Sequence, residues 1–241
     1  MLNMLLIITS LIGLNNFGNS NSDVKTYSSK AFDLKDGKFL YSEFHEEKFN
    51  GNKITESVTK YKDPKNNLLS ERIMTFTDDL TKPKFVLKDF RSGYIEGSEL
   101  LQNKRVRVYT RESFDDKLEE KVLKVEEPFV IDGGLTYFFR ENWERLLNNE
   151  TIEFNFIAPA KLDYFRFRVS KNSIVSVGDR KGMQLKLEIN SFILRAFVDP
   201  ILITYALDNK EILSYKGISN VNDENGKSHS VEIDFTIKGD K

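Results

Sequence analysis

The sequence predicts a mainly β protein in which a large antiparallel meander curls as a half-barrel or open barrel around one amphipathic helix. Three observations support this fold class. Short segments that alternate apolar and polar residues follow one another along most of the chain. Brief turns rich in Gly, Asn and Pro separate them, which is typical of antiparallel neighbours. A single segment, residues 135–148, has the apolar spacing of a helix.

Composition indicates a globular protein. Of 241 residues, 39% are hydrophobic and 19 are phenylalanine, so enough apolar surface exists to build a core. The 36 Lys and Arg residues nearly balance the 37 Asp and Glu residues, which gives no general attraction toward phosphate backbones. We therefore expect no nucleic-acid partner.

The first twenty residues, MLNMLLIITSLIGLNNFGNS, resemble a secretory signal. The apolar run at residues 4–14 suits the core of such a signal and is shorter than the roughly 20 residues that span a membrane. A buried first strand is the alternative, because short apolar runs are ambiguous. We therefore expect an exported or periplasmic protein with residues 1–20 as the signal and residues 21–241 as one domain. The chain has no cysteine, so disulfides, thiolate metal sites and lipid-attachment cysteines are excluded.

The first half of the domain consists of predicted strands. Their bounds are residues 38–49, 53–61, 68–77, 84–90, 94–100, 104–112 and 117–125. In the sixth, Val106 and Val108 alternate with arginines such as Arg107. We expect the arginines on a solvated face, in cross-strand ion pairs with a row that includes Glu120. The alternative is a phosphate-binding or base-stacking surface, which the balanced charge disfavours.

The predicted helix follows Gly133 and Gly134. Its apolar residues recur at helical spacing and form one stripe, made of Leu135, Phe138, Phe139, Trp143, Leu146 and Leu147. Asp132 is suited to cap the first turn. The helix therefore presents one apolar face, which includes the chain's single tryptophan.

Strands resume after the helix. Their predicted bounds are residues 151–158, 163–170, 182–189, 201–208, 211–219 and 229–237, with residues 192–198 as a short helix or a wide turn. About a dozen strands spaced about 4.8 Å apart form a sheet far wider than one helix, which is about 10–12 Å across. The sheet must therefore curl around the helix or fold over as two faces. Curling around so small a plug leaves a concave apolar surface.

This concave surface is the predicted ligand site. The residues expected to line or plug it are Phe138, Phe139, Trp143, Phe154, Phe156, Phe165 and Phe167. A hydrophobic ligand such as a lipid or acyl chain would bind there by burying apolar area. The alternative is that the same residues form an ordinary filled core and that the protein is a structural or interaction module.

No residue pattern predicts catalysis. The two histidines, His45 and His229, are far apart and lie in strand patterns, without a G-x-S-x-G or H-E-x-x-H motif. Residues 221–232 match a calcium loop in part, but the strand-like flanks favour a hairpin turn. We therefore expect no catalytic residue, no metal and no cofactor. A hydrolase that uses either histidine is the less favoured alternative.

Three segments carry a resemblance. They are YKDPKNNLLSE, GGLTYFFRENWERLLNNETIEFNFIAPAKLDYFRF and VDPILITYALDNKEILSYKGISN. Together they look like an uncharacterised family of exported bacterial proteins, which has no assigned activity and so implies no catalytic residue. The expected architecture is more loosely similar to that of periplasmic lipoprotein-localisation carriers and receptors. That likeness implies a concave face for acyl chains, a lipid, acylated or envelope-protein partner, and peripheral membrane contact, but it rests on the fold alone.

Overall fold

The computed structural model describes residues 22–191, 199–223 and 226–235. Its strands are β1 (Ser22–Asp33), β2 (Phe39–Asn50), β3 (Lys53–Lys62), β4 (Leu68–Thr75), β5 (Lys84–Asp89), β6 (Ile95–Leu100), β7 (Arg105–Arg111), β8 (Glu119–Lys124), β9 (Phe129–Val130), β10 (Ile152–Ala158), β11 (Asp163–Val177), β12 (Arg180–Ile189), β13 (Ile201–Ala206), β14 (Ile212–Asn222) and β15 (Ser228–Asp234). The α-helices in these ranges are α1 (Leu135–Glu141) and α2 (Trp143–Leu147). The expected signal and the expected feature at residues 192–198 lie outside the described residues.

All of these strands join one sheet. Its order is β8-β7-β6-β5-β4-β3-β2-β1-β15-β14-β13-β12-β11-β10-β9. Neighbouring strands are antiparallel except β9 and β10, which are parallel. The expected antiparallel sheet is therefore confirmed, and two strands that the alternation did not predict, β1 and β9, are added to it. Because β1 pairs with both β2 and β15, it joins the two halves of the meander.

The sheet curls without closing into a barrel. Its edge strands are β8 and β9, and no ladder joins them. The short turn Pro159–Lys161 between β10 and β11 packs against β6 and β7. There the backbone N–H of Ala160 donates to Oε2 of Glu96 across 3.1 Å. Side-chain packing and this hydrogen bond thus bring the two halves together, and the predicted open barrel is confirmed.

The predicted single helix is divided at Asn142. This residue has φ −100° and ψ 16°, and its side-chain amide donates to the carbonyl of Phe138 across 2.9 Å. The prediction that Asp132 caps the helix is wrong, because α1 follows Gly134 and has no side-chain cap. Asp132 instead accepts hydrogen bonds from the N–H of Gly133 and from the side-chain amide of Asn220.

Gly133 allows the chain to approach β4 closely before the helix begins. Its φ is +81°, a conformation that favours glycine, and a Cβ there would overlap the sulfur of Met74. The adjoining Ile131 donates its N–H to the carbonyl of Thr81 across 3.1 Å. The segment before α1 is thereby held against the first half of the sheet.

Two hydrophobic clusters form the core of the curled sheet. The first combines buried residues of β1–β5, β7, β8, β14 and β15 with Phe129, Ile131 and Ile157. The second packs the helices against β10–β13 and contains Val130, Phe138, Phe139, Trp143, Leu146, Ile152, Phe154, Val169, Met183, Leu185, Leu187, Ile203 and Tyr205. The helices therefore pack on one half of the sheet and do not fill the centre of the curl.

Several arginines of the alternating strands lie in cross-strand ion pairs. Arg107 pairs with Glu120, and Arg168 pairs with Glu188. The expectation of a solvated, ion-paired sheet face is confirmed at these positions. Within the described residues, no helix is both long and apolar enough to cross a membrane.

Candidate functional site

A partly open cavity of about 1230 Å³ lies between the two hydrophobic clusters. Much of its wall is apolar and comes from both halves of the sheet. The apolar lining residues include Phe49, Ile54, Met74, Phe76, Phe85, Phe156, Phe167, Leu187, Ile201, Ile203, Leu213, Ile233 and Phe235. The helices leave this space open because they pack against β10–β13.

One wall of the cavity is polar, and strand register explains its arrangement. Tyr27 on β1 lies opposite His45 on β2, and His45 lies opposite Thr59 on β3. Thr59 in turn lies opposite Arg72 on β4. Directly opposed residues share a face of the sheet, so these four side chains form one transverse row that points inward.

A second inward row holds a buried acid. Ser29 on β1 lies opposite Glu43 on β2, and the Ser29 hydroxyl donates to Oε2 of Glu43 across 2.6 Å. Nε2 of His45 lies 3.1 Å from the same oxygen, and Nδ1 lies 3.1 Å from the hydroxyl of Thr59. Burial alone would raise the pKa of the Glu43 carboxyl, but hydrogen bonds from His45 and Ser29 outweigh burial and lower it.

The serine, histidine and acid do not form a catalytic relay. An ionised carboxylate only accepts hydrogen bonds, so Nε2 of His45 must carry the proton that it shares with Glu43. That nitrogen cannot then accept the proton of Ser29, whose hydroxyl is also bonded to Glu43. Ser29 is 1% exposed and does not line the cavity. The cluster therefore orders the wall of the cavity and does not activate a nucleophile.

Arg72 contributes a positive charge to this wall. Its Nη2 donates to the hydroxyl of Thr59 across 3.3 Å, while its Nε is buried without a hydrogen-bond partner. Burial would lower the pKa of Arg72, but the neighbouring Tyr61 and Asp132 raise it, so the guanidinium remains charged. Within the described ranges, Arg72 belongs to no ion pair with a carboxylate.

Two acids border the cavity on another side. Oδ1 of Asp132 accepts from the N–H of Gly133, and Oδ2 accepts from the amide of Asn220 across 3.2 Å. Glu96 accepts from the N–H of Ala160. Burial and the negative charge of Asp132 raise the pKa of Glu96 to about 7. Glu96 is thus partly protonated near neutral pH.

Tyrosine hydroxyls complete the polar wall. Tyr27 donates to Oε1 of Glu47 across 3.0 Å, and Tyr215 donates to the carbonyl of Ile218 across 2.6 Å. Burial raises the pKa of Tyr27, Tyr61 and Tyr215 well above the usual value. These phenols therefore stay protonated and present neutral, polarisable groups to the cavity.

The first helix forms part of the boundary. Leu135, Thr136, Tyr137 and Arg140 line the cavity, whereas Phe138 and Phe139 point into the second cluster. Thr136 shares a hydrogen bond of 3.0 Å with the hydroxyl of Tyr205, another lining residue. The helix thus separates the filled core from the open space.

The seven predicted ligand-binding residues divide into three groups. Four are buried in the second cluster and do not line the cavity: Phe138, Phe139, Trp143 and Phe154. Phe156 and Phe167 do line it, and their rings meet edge to face with centroids 5.6 Å apart. Phe165 is 37% exposed and does not line the cavity. The structure therefore brings Phe156 and Phe167 together at the open space and leaves the others apart from it.

Sequence reasoning missed the polar wall. The arginines of the alternating strands were expected on a solvated face, whereas Arg72, together with Glu43 and His45, faces inward. The pattern of β4 carried a sign of this wall. Arg72 lies on the same face of β4 as the buried Met74, and the buried Phe76, just after the strand, is in the same phase. A charged residue in phase with an apolar row is the pattern that could have indicated this wall.

The other sequence candidates do not converge on the cavity. His229 on β15 does not line it. At the partial calcium motif, Asp223 and Lys227 form a backbone hydrogen bond of 2.7 Å, which is typical of a hairpin turn. Among the described residues, no group of His, Asp and Glu side chains is arranged to hold a metal ion.

Comparison with solved structures finds a similar fold. It is the crystal structure of a β-barrel-like protein of the domain of unknown function DUF1849 from Brucella abortus. The TM-score is 0.53 at 9% sequence identity, over 87% of this chain and 96% of that chain. At this identity the likeness concerns the fold alone, and the expected uncharacterised family stays a prediction.

No protein-family model matches the chain, and a search of curated proteins found no match. The similarity to lipoprotein-localisation proteins stays a prediction. The barrel-like fold and its buried aromatic cluster are compatible with a ligand-binding or interaction module.

Proposed function

We propose that this chain is an exported, non-enzymatic cell-envelope protein that binds a hydrophobic ligand, a lipid or acyl chain, inside the curled sheet. The observation that carries the proposal is the cavity of about 1230 Å³ between the two hydrophobic clusters. Pockets for drug-sized molecules occupy about 300–1,000 Å³, so this space suits a longer ligand. A partner in the envelope, and contact with the membrane surface, would deliver or receive that ligand.

The wall chemistry supports an acyl chain. Aliphatic and aromatic side chains such as Ile201, Phe156 and Phe235 come from different strands and face the same space. Each Å² of apolar surface removed from water contributes about 25 cal/mol, and a long chain would contact many of these residues at once. The apolar run at residues 4–14 supports export.

Native mass spectrometry of protein purified from its own envelope fraction tests the proposal. We expect a bound lipid or fatty acid, and we expect the emptied protein to bind a fluorescent fatty acid. A protein that is isolated empty and fails to bind the probe would contradict the proposal.

A pair of neighbouring substitutions on β13 supplies a matched control. Ile201 lines the cavity, whereas Leu202 does not. Ile201→Trp fills part of the space and should weaken probe binding about tenfold or more, a change of roughly 1.4 kcal/mol. Leu202→Trp should leave binding near the wild-type value. Equal effects of the two substitutions would place the probe outside the cavity.

A structural or interaction module is the second candidate. It is favoured by the dense packing of Phe139, Trp143 and Phe154, three residues that were expected at the ligand site. A module of this kind would show no co-purified lipid, and neither β13 variant would change probe binding. The hydrolase alternative is not supported by the geometry, because Ser29 is buried and His45 is engaged by Glu43.

A further inference from the structure

The guanidinium of Arg72 has bonding capacity that the described residues do not use. It carries five N–H donors, and the hydrogen bond to Thr59 at 3.3 Å occupies one of them. Its Nε is buried without an acceptor. An unsatisfied buried donor is costly, and it is most costly on a charged group. Arg72 lines the cavity, so an anion bound there can accept from N–H groups of the guanidinium that have no acceptor among the described residues.

The nearby acids Glu43 and Asp132 do not fill this role, and three of their four oxygens are bonded to other groups. Oε2 of Glu43 accepts from Ser29 and lies within hydrogen-bond distance of His45. Asp132 accepts through both oxygens, from Gly133 and Asn220. The two acids help to keep Arg72 charged, but neither forms an ion pair with it.

Apolar surface begins directly beside Arg72. Met74 is the next residue on the same face of β4, and it lies opposite Phe85 on β5. Arg72, Met74 and Phe85 all line the cavity. An amphiphile could therefore place a charged head at Arg72 and extend an alkyl chain along this wall.

We propose that Arg72 binds the anionic head group, a carboxylate or phosphate monoester, of a single-chain amphiphile held in the cavity. The inference rests on the proposed function and specifies the class of ligand. A planar guanidinium matches both head groups, because two parallel N–H bonds can reach two oxygens of one anion. The cavity then distinguishes charged from neutral amphiphiles as well as long chains from short ones.

Titration calorimetry with three ligands of equal chain length tests the inference. The ligands are dodecanoate, dodecyl phosphate and dodecanol, each kept below the concentration at which it aggregates. We expect at least one of the two anions to bind the wild-type protein more tightly than dodecanol. Arg72→Gln should weaken that anion about ten- to hundred-fold and leave dodecanol within about twofold, because only the anion loses a charge-assisted hydrogen bond.

The matched control is Arg107→Gln. Arg107 also lies in a strand, but it pairs with Glu120 and does not line the cavity. This variant should bind all three ligands as the wild type does. Arg72→Lys keeps the charge without the planar fork and should recover part of the lost affinity, and it serves in place of Arg72→Gln if the glutamine variant does not fold.

The outcomes separate this inference from the proposed function. If none of the three ligands binds the wild-type protein, the proposed function itself is contradicted. If dodecanol binds as tightly as both anions, or if Arg72→Gln weakens dodecanol as much as an anion, acyl binding stands and the role of Arg72 is overturned. A preference for dodecanoate over dodecyl phosphate would identify a fatty acid as the source of the head group, and the reverse would identify a phosphate ester.

Discussion

Two phenylalanines on β10 allow the boundary between core and cavity to be measured. Phe154 and Phe156 are two residues apart on the same strand, and both contact Phe167. Phe154 is 2% exposed and packs on Phe138 with ring centroids 4.8 Å apart. Phe156 is only partly buried and borders the open space. Truncation of each should therefore have a different energetic cost.

The expected magnitudes follow from this difference. Phe154→Ala removes a ring from a closed core and leaves a new void, which costs about 3–5 kcal/mol in the free energy of unfolding. Phe156→Ala enlarges a space that is already open and creates no new void. It therefore loses only the free energy of removing the ring from water, at most about 1.5–3 kcal/mol. The difference between the two variants should be roughly 2 kcal/mol. Ligand affinity should change in the opposite order, because Phe156 alone of the two lines the cavity.

Urea denaturation provides the assay, with circular dichroism and the fluorescence of Trp143 as independent probes. Equal losses of stability in the two variants would refute the reasoning, because they would mean that the space beside Phe156 is filled. A loss of ligand affinity confined to Phe154→Ala would refute it as well.

Three further predictions concern the polar wall and the segment before the helix. Folding raises the pKa of Glu96 from an ordinary value of 4.5 to about 7. The free energy of unfolding should therefore fall as pH rises between these two values. Glu96→Gln should remove that decline, on the order of 1–3 kcal/mol, in unfolding measured across this range; an unchanged slope would contradict the raised pKa. Gly133→Ala should destabilise the protein by about 1–3 kcal/mol in urea denaturation, through its positive φ and its overlap with Met74, and Met74→Ala should restore part of the loss. Failure of the double variant to regain any stability would argue against that contact. Ser29→Ala should cost about 1.5–3 kcal/mol in thermal unfolding, through the lost hydrogen bond to Glu43, and should leave probe affinity unchanged; a change in affinity alone would place Ser29 at the ligand.

The polar wall changes the kind of ligand that the fold is suited to bind. A cavity lined by phenylalanine alone would select ligands by chain length and shape. The inward row of Tyr27, His45, Thr59 and Arg72 adds hydrogen-bonding groups and a charge at a fixed position. These groups sit on strands and are held by cross-strand bonds, so they are preorganised for a polar head group.

The alternating pattern was sufficient to predict most strands and the apolar stripe of the helix. Val106 and Val108 are fully buried, and Arg107 pairs on the other face, as their phase indicates. The pattern did not predict β1. Ser29 and Ala31 are buried in this strand, but the residues around them, such as Tyr27 and Ser28, do not alternate between apolar and polar. Its pairing with β15 joins residues that are about two hundred positions apart, which local periodicity does not report.

The candidate site was predicted in part for the same reason. Phe156 and Phe167 were expected to face ligand and do line the cavity, whereas Phe138 and Phe154 pack against each other. Both groups have the same local pattern of apolar residues. Whether an inward phenylalanine packs against a helix or borders the cavity depends on where the helices pack. The local sequence of the strand does not specify that packing.

The sequence by itself determined the elements, because the side-chain periods of strand and helix and the chemistry of Gly, Asn and Pro turns are local properties of the chain. It also determined that so many strands could not be covered by one helix. Only the tertiary structure decided that the helices pack on β10–β13 and leave the centre open. It also decided that Arg72 faces that space without an ion pair, since register and burial arise from contacts between strands that are distant in the chain.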